Sequence, residues 1–320
     1  DGSDFCRLGK AIGKNTRLQQ FEARLDRVEN LLHVSDTAFY DGLKRNTSIR
    51  ELYLDCSNHN IVGGVGEEIL KAYQQNHRHL TSLRIYDAEL EHGGCEMIVA
   101  TLRCCTNLVR IELHNCNLTD EQLLPIMEAI RGHRSLESLC LDGHNIGNPG
   151  CDVVTTFMLE NPSTNLHTLS LTNNSIDTIC ATTILNSLAH NNKLESLYLG
   201  GNQFDQPIVR SALSKLLCDT SSINKTYLSN HTLDHIGGID LAGDNPARDR
   251  ELRSLLQMNR TKYKSYVAIR KVLKYHPMTD VEPFFEWLEE GDQNLKALPY
   301  VIGWFNRAEI AASSDNPIGT

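Results

Sequence analysis

The sequence lacks the features that point most directly to a metal, a membrane or a nucleic acid. Its ten cysteines include no CxxC pair and its histidines stand at no ligand spacing, so no metal and no cofactor is predicted. It contains no run of about 18 apolar residues, and no transmembrane helix is therefore predicted. Acidic residues outnumber basic ones by 40 to 31, and the net charge of -9 disfavours nucleic acid as a partner.

A hydrophobic spacing repeats along the first 235 residues or so. The segment "NLVRIELHNCNLTDEQ", residues 107–122, fits the pattern L-x-x-L-x-L-x-x-N/C-x-L. This pattern is the signature of the leucine-rich repeat. Starts of the pattern recur at intervals of 28 to 31 residues, at Leu18, Ile49, Leu80, Leu108, Leu136, Leu166, Leu194 and Ile223.

Each repeat predicts a strand followed by a turn. The inner leucines point into the solenoid from a short strand, which pairs with the next strand in a parallel sheet. Eight residues after each start, a small polar side chain can bond to backbone groups that the turn leaves inside, as at Asn174 and Asn202. Ala88 holds this position in the third repeat and cannot do so, so a looser turn is expected there.

Helical patterns lie between the predicted strands. Thr119 and Gln122 are spaced for a capping box, but Pro125 would then lie inside the helix, so a start near Leu124 is predicted. Repeats of about 28 residues with a full helix resemble the ribonuclease-inhibitor type of leucine-rich repeat. The resemblance implies an α/β solenoid, a horseshoe arc with a parallel inner sheet, outer helices and a helical C-terminal cap.

The C-terminal part carries a narrower resemblance. Four segments follow one another in the order "LLCDTSSINKTYLSNHTLDHIGG", "VAIRKVLKYH", "VEPFFEWLEE" and "LKALPYVIGWFNRA". They are similar to the expanded family of ribonuclease-inhibitor-like repeat proteins of unicellular algae. This resemblance implies the fold and no assigned activity, so function has to be inferred from the exposed residues.

Three stretches of chain are predicted. Residues 1–235 form a solenoid of about eight repeats, and the likeness of "LGKAIGKNTRL" to "YDGLKRNTSI" indicates that the chain opens in mid-repeat, with upstream sequence missing. Residues 236–310 form the helical cap, with helices expected over about 246–258 and 262–275. Residues 311–320 read as a flexible tail.

Side chains four and six residues after each start should point outward from the concave face of the sheet. Neighbours on adjacent strands lie about 4.8 Å apart, so Arg84 is expected to pair with Glu112, and His114 with Asp142. Tyr and Arg are typical anchors of protein interfaces. The predicted partner-binding residues are Tyr53, Arg84, Tyr86, Glu112, His114, Asp142, Tyr198 and Tyr227.

The same face also admits an enzymatic interpretation. Cys140 stands diagonal to His114 and two residues before Asp142, as a nucleophile, its base and an orienting carboxylate would. An open sheet offers neither a pocket that excludes water nor an oxyanion hole. We therefore predict no catalytic residues and a non-enzymatic module or scaffold for a protein partner.

Other interpretations stay open at this point. An open N-terminal end would suit a fixed structural subunit of a larger complex, and fold analogy alone suggests a GTPase-activator-like regulator. Cysteines at mostly buried positions favour reduced thiols and an intracellular, cytoplasmic location, with an organelle left open. The C-terminal aromatics either cover the last repeat or form a second docking patch: Phe284, Phe285, Trp287 and Trp304.

Overall fold

The computed structural model describes residues 2–25, 36–75, 78–90, 93–160, 165–241 and 246–277. Within these ranges eight strands form one sheet, in chain order, and every neighbouring pair is parallel. The strands are β1 Gln20–Arg24, β2 Glu51–Asn60, β3 Ser82–Glu89, β4 Arg110–His114, β5 Ser138–Asp142, β6 Thr168–Ser170, β7 Ser196–Tyr198 and β8 His235–Gly237.

Helices alternate with the strands along most of the chain. They are α1 Gly2–Lys14, α2 Thr37–Arg45, α3 Val65–Gln75, α4 Gly94–Cys104, α5 Asp120–Ile130, α6 Asn148–Glu160, α7 Thr178–Ser187, α8 Gln206–Leu217, α9 Ile223–Tyr227, α10 Pro246–Asn259 and α11 Lys264–Tyr275. Repeated units of one parallel strand and one helix make this a leucine-rich-repeat solenoid, and the predicted fold class is confirmed. The last two helices match the expected ranges closely.

The chain divides into two compact units. The first comprises Asp1–Val209 and His235–Asp240, and it contains the whole sheet. The described part of the second comprises residues 210–234, 241 and 246–277. The division therefore falls near residue 210, with one short segment returning to the first unit, and differs from the single boundary expected at residue 235.

One face of the sheet is buried by a row of aliphatic side chains. Leu52, Leu83, Ile111, Leu139, Leu169, Leu197 and Ile236 are register partners from β2 to β8, and none is more than 8% exposed. A second row, two residues further along, holds the fully buried Leu54, Ile85, Leu113 and Leu141. These are the inner positions of the repeat pattern, so the sequence spacing places the core directly.

The turns after β5, β6 and β7 are held by a ladder of polar side chains, those of His144, Asn174 and Asn202. Asn202 donates to the carbonyl of Leu171 (2.9 Å) and accepts from the Ile176 amide (3.1 Å). His144 makes the equivalent pair, because its Nδ1 accepts from the Leu118 amide at 3.3 Å and its Nε2 lies 3.1 Å from the Leu113 carbonyl. His144 is thus a turn residue that imitates asparagine. Ala88 has no such side chain, and there β3 continues to Glu89 and pairs with β2 after a register shift.

A second feature of the turns is absent from the predicted pattern. In five of the described turns, the residue before the ladder position has a left-handed backbone, with φ between 51° and 73°. This conformation favours Gly and, among other residues, Asn and Asp. The column reads Asp87, Asn115, Gly143, Asn173 and Gly201. The residue types alone could have revealed it.

The eighth repeat is not where the sequence pattern predicted it. Ile223 begins α9, a helix capped by the Ser222 hydroxyl, which accepts from the Lys225 amide. The strand that completes the sheet comes later, at His235–Gly237. The sequence already departs from the repeat pattern in this segment, because Thr226 occupies a position where the pattern requires an inner leucine.

The predicted start of α5 near Leu124 is also wrong. The helix begins at Asp120, and the Thr119–Gln122 capping box is formed, with the Thr119 amide donating to Gln122 Oε1 at 3.1 Å. Pro125 lies inside the helix. The cap offers bonds to amides that the first turn would leave unpaired, which offsets the single helical hydrogen bond that the proline removes.

The second unit has a buried lysine among its helices. Lys271 of α11 is fully buried, and its Nζ donates to the carbonyls of Leu217 (2.6 Å) and Asn230 (3.0 Å). It also contacts His231 Nδ1 at 3.1 Å. Burial lowers the pKa of Lys271 to about 7. His231, which the pattern places at a repeat turn because it stands eight residues after Ile223, is instead a partner of this lysine.

The expectation of reduced thiols holds for most of the described cysteines. Eight are free, and six of these are buried. Cys151 of α6 and Cys180 of α7 lie side by side, with Cα atoms 5.8 Å apart, a separation that a disulfide can span. None of the helices in the described ranges has the length and apolar run that crossing a bilayer requires.

Candidate interaction surface on the exposed sheet face

The strands present a second set of side chains on the face opposite the aliphatic rows. Strand alternation sends every other residue to this side, and the parallel register aligns them in columns. Register partners Arg84, Glu112 and Cys140 form one column, and Tyr86, His114 and Asp142 form the next. We call this surface the sheet face, formed by Tyr53, Arg84, Tyr86, Glu112, His114, Cys140, Asp142, Ser170 and Tyr198.

Three rings stack across β2, β3 and β4. The centroids of Tyr53 and Tyr86 are 4.9 Å apart, and Tyr86 stacks on His114 at 4.4 Å with an angle of 15° between the planes. All three side chains are half-buried. Burial is the main cause that raises the pKa of both tyrosines, so their hydroxyls stay protonated donors at neutral pH. The stack leaves an aromatic surface with polar edges.

A charged network supports the stack from the neighbouring column. The Tyr86 hydroxyl donates to Glu112 Oε2 at 3.0 Å, and Arg84 Nε lies 3.4 Å from the same oxygen, as the predicted Arg84–Glu112 pair requires. His114 Nε2 lies 3.8 Å from it. Interaction with His114 is the largest cause that lowers the pKa of Glu112, followed among the lowering contributions by Tyr86. Glu112 is therefore an ionised centre to which three neighbours are oriented.

The predicted neighbours His114, Cys140 and Asp142 do come together. Cys140 Sγ lies 3.4 Å from His114 Nε2, and His114 Nδ1 lies 4.0 Å from Asp142 Oδ2. Burial, followed by Asp142, raises the pKa of the Cys140 thiol. A cysteine nucleophile needs a lowered pKa, so the cluster does not have the electrostatics of a catalytic thiol.

Two hydroxyl residues complete this end of the cluster, and the predicted contact residues did not include them. Ser170 Oγ donates to Asp142 Oδ1 at 2.6 Å, and the Thr172 amide donates to the same oxygen at 2.8 Å. Their sequence signal is their position in the outward columns, four and six residues after Leu166. Further along the sheet, the Tyr198 ring lies 5.0 Å from that of His235.

Some predicted site residues lie elsewhere. Tyr227 is on α9, exposed, and not on a strand, so its placement on the sheet face is wrong; the reason is that the segment after Ile223 is helical. The proposed second patch of Phe284, Phe285, Trp287 and Trp304 lies outside the described residues. The remaining predicted residues, from Tyr53 to Tyr198, occupy one sheet surface.

The repeated units of strand and helix make this chain a leucine-rich-repeat protein. Its relatives, which contain the same kind of repeat, suggest a protein-interaction module. No protein-family model matches the chain. Over 175 residues, 54% of the chain, it is 26% identical to the NACHT, LRR and PYD domains-containing protein 3 of Bos taurus, of which it covers 16%. Over 205 residues, 62% of the chain, it is 25% identical to the NACHT, LRR and PYD domains-containing protein 12 of Mus musculus, of which it covers 19%. The chain thus spans less than a fifth of the length of these relatives.

Solved structures with similar arrangements are more distant in sequence. The actin-binding site 2 of leiomodin-1 is 14% identical, with a TM-score of 0.40 over 53% of this chain and 90% of that one. An internalin of Listeria monocytogenes is 14% identical, with a TM-score of 0.31 over 61% of this chain and 56% of that one.

Proposed function

We propose that the chain is a non-catalytic interaction module, or scaffold, that binds a protein partner through the sheet face. The observation that carries this proposal is the stack of Tyr53, Tyr86 and His114 beside the ionised Arg84–Glu112 pair. Aromatic and arginine side chains supply most of the energy of protein interfaces when they lie near the centre of the contact. Here they lie together on one surface.

Rigidity favours this use of the surface. Each side chain of the stack stands on a strand and already contacts its neighbours, so a partner does not have to order it on binding. The charged groups around the stack offer directional contacts, which select among partners more than they add affinity. Glu112 and Asp142 would repel a phosphate backbone, which supports a protein partner over nucleic acid.

Several finer assignments belong to this proposal. We place the chain among the ribonuclease-inhibitor-like repeat proteins and inside the cell, on repeat length and the free cysteines. A fixed subunit of a larger assembly is the alternative, and it would use the same surface permanently. The GTPase-activator alternative rests on the fold, and none of the described residues supports it over simple binding.

A crosslinking experiment tests the proposal in cells. A photo-reactive amino acid replaces Asp55, beside the stack on β2, in one version of the chain, and Glu121, on the exposed side of α5, in another. Both sites lose one carboxylate, so the pair is matched in charge. We expect one protein to crosslink at position 55 and not at position 121.

The outcome separates the alternatives. Crosslinks at position 121 alone would contradict the sheet face as the contact surface. A crosslinked product at position 55 whose native size matches a single large complex would favour the fixed-subunit alternative over reversible binding.

A further inference from the structure

We propose that His114, Cys140 and Asp142 form a binding site for a divalent transition-metal ion of the zinc class. The three residues offer a ring nitrogen, a sulfur and a carboxylate oxygen, and these atoms all lie within 4.8 Å of one another. The proposal concerns the isolated chain and does not depend on the protein partner. It revises the sequence-based expectation of no metal.

The separations are close to those of a tetrahedral site. Cys140 Sγ lies 3.4 Å from Nε2 and 3.9 Å from Nδ1 of His114, and Asp142 Oδ2 lies 4.0 Å from Nδ1. With ordinary zinc bond lengths, neighbouring sulfur, nitrogen and oxygen ligands stand about 3.3–3.6 Å apart. Small side-chain rotations would therefore bring the three ligands around one ion at Nδ1, which lies 3.9 Å from Sγ and 4.0 Å from Oδ2, although Nε2 is the nitrogen nearer to Sγ.

Asp142 is already oriented for this role. Its Oδ1 accepts from Ser170 Oγ at 2.6 Å and from the Thr172 amide at 2.8 Å, which leaves Oδ2 directed at His114. A ligating carboxylate in a metal site is held in this way by hydrogen bonds to its other oxygen. The neighbouring strand and turn thus supply a support that an isolated surface aspartate would not have.

His114 is oriented from the opposite side. Its ring stacks on Tyr86, and Nε2 faces Glu112 Oε2 at 3.8 Å while Nδ1 faces Asp142. Metal-bound histidines almost always donate their second ring N–H to a carboxylate or carbonyl, which fixes the tautomer. Glu112 is itself held by Tyr86 and Arg84, so the carboxylate is in place before an ion binds.

The donor set selects the kind of ion. Sulfur and imidazole nitrogen suit zinc and copper, whereas magnesium and calcium take oxygen ligands alone. A thiolate and a carboxylate together balance the charge of a divalent ion. Three protein ligands leave a fourth position, and the side chains of His114 and Asp142 are 23% and 21% exposed, so that position faces solvent.

Cobalt serves as the probe, because a thiolate bound to Co²⁺ gives a charge-transfer absorption that oxygen and nitrogen ligands do not. The full chain is reduced, stripped with a chelator, titrated with Co²⁺ and then challenged with Zn²⁺. We expect the thiolate band to saturate at one equivalent and to be bleached by Zn²⁺. Cys140→Ser should remove the band, whereas Cys104→Ser, a partly exposed cysteine on α4, should keep it.

Two further variants make the result decisive. Asp142→Asn retains the acceptor for Ser170 and Thr172 but removes the charged ligand, and Glu112→Gln removes the charge that faces His114 and also pairs with Arg84. We expect both variants to weaken Co²⁺ binding, the second about 10- to 100-fold. Melting curves of the metal-free proteins check folding. A band that is absent in wild type, or that survives in Cys140→Ser, overturns the proposal, and so does an Asp142→Asn variant that binds Co²⁺ as tightly as wild type. Should Cys140→Ser fail to fold, Asp142→Asn decides.

Discussion

The two faces of the sheet follow different rules. On the buried face, every strand from β2 to β8 places Leu or Ile in one row. On the exposed face, the corresponding column changes identity at every step, in the order Tyr53, Arg84, Glu112, Cys140, Ser170 and Tyr198. Packing constrains the first face because a missing side chain leaves a cavity. Packing does not fix the side chains of the second face, because they are exposed to solvent. The residues that are particular to this chain therefore lie on the exposed face.

The largest expected effect comes from the buried face. Leu113 on β4 is fully buried, and Leu113→Ala should lower the free energy of unfolding by about 2–5 kcal/mol, through lost burial and the cavity that remains. Arg110→Ala, three residues earlier on the same strand and exposed, is the matched control and should cost about 1 kcal/mol or less. Denaturant unfolding measures both, and equal losses would contradict the distinction between the faces.

The next effect concerns the turn ladder and depends on pH. Burial lowers the pKa of His144 to about 4 from its ordinary 6.5, and its Nδ1 has to accept from the Leu118 amide. Between pH 6.5 and about pH 4, His144 binds a proton in the unfolded chain but stays neutral in the folded chain. The free energy of unfolding therefore falls as pH falls through this window. Across this pH window, the protonation of His144 should lower the free energy of unfolding by about 3 kcal/mol.

His144→Asn tests this assignment, because asparagine makes the same two bonds at Asn174 and Asn202 without titrating. The variant should lose less stability than wild type between neutral pH and about pH 4. Unfolding curves at both values give the comparison. An unchanged acid sensitivity would mean that other groups, such as His231, dominate.

A smaller effect is expected at the left-handed column. Gly143 has φ 73°, and a Cβ there would overlap Oδ1 of Asn115. Gly143→Ala should therefore cost about 1–3 kcal/mol. Gly132→Ala is the control, since a Cβ there meets nothing within 4 Å, and it should be close to neutral. Thermal melts that rank the two variants the other way would contradict this.

The sequence predicts the repeating part of the structure well and its departures poorly. Spacing alone gives the fold class, the buried rows and the pairs Arg84–Glu112 and His114–Asp142, because parallel strands in register turn a linear repeat into columns. It fails where a segment imitates the pattern. Ile223 and Leu228 have the right spacing, yet Ser222 caps a helix there, and Tyr227 was misplaced with it.

The candidate metal ligands show a different limit. Ligand motifs are recognised by short spacings along the chain, but His114 and Cys140 are 26 residues apart and become neighbours only across two strands. The supporting contacts of Ser170 with Asp142 and of Tyr86 with Glu112 also depend on side-chain rotations. Spacing predicts which residues share a column, and the structure is needed to show which atoms meet.

The most direct test of the sheet face combines stability and binding in one pair of variants. Tyr53→Ala with Tyr86→Ala removes the stack and no buried leucine, and Tyr227→Ala, an exposed tyrosine on α9, is the control. Titration calorimetry with the crosslinked partner should show at least about 30-fold weaker binding for the double variant, equivalent to about 2 kcal/mol, while melting temperature changes little and Tyr227→Ala binds like wild type. Unchanged affinity in the double variant would contradict binding through the sheet face.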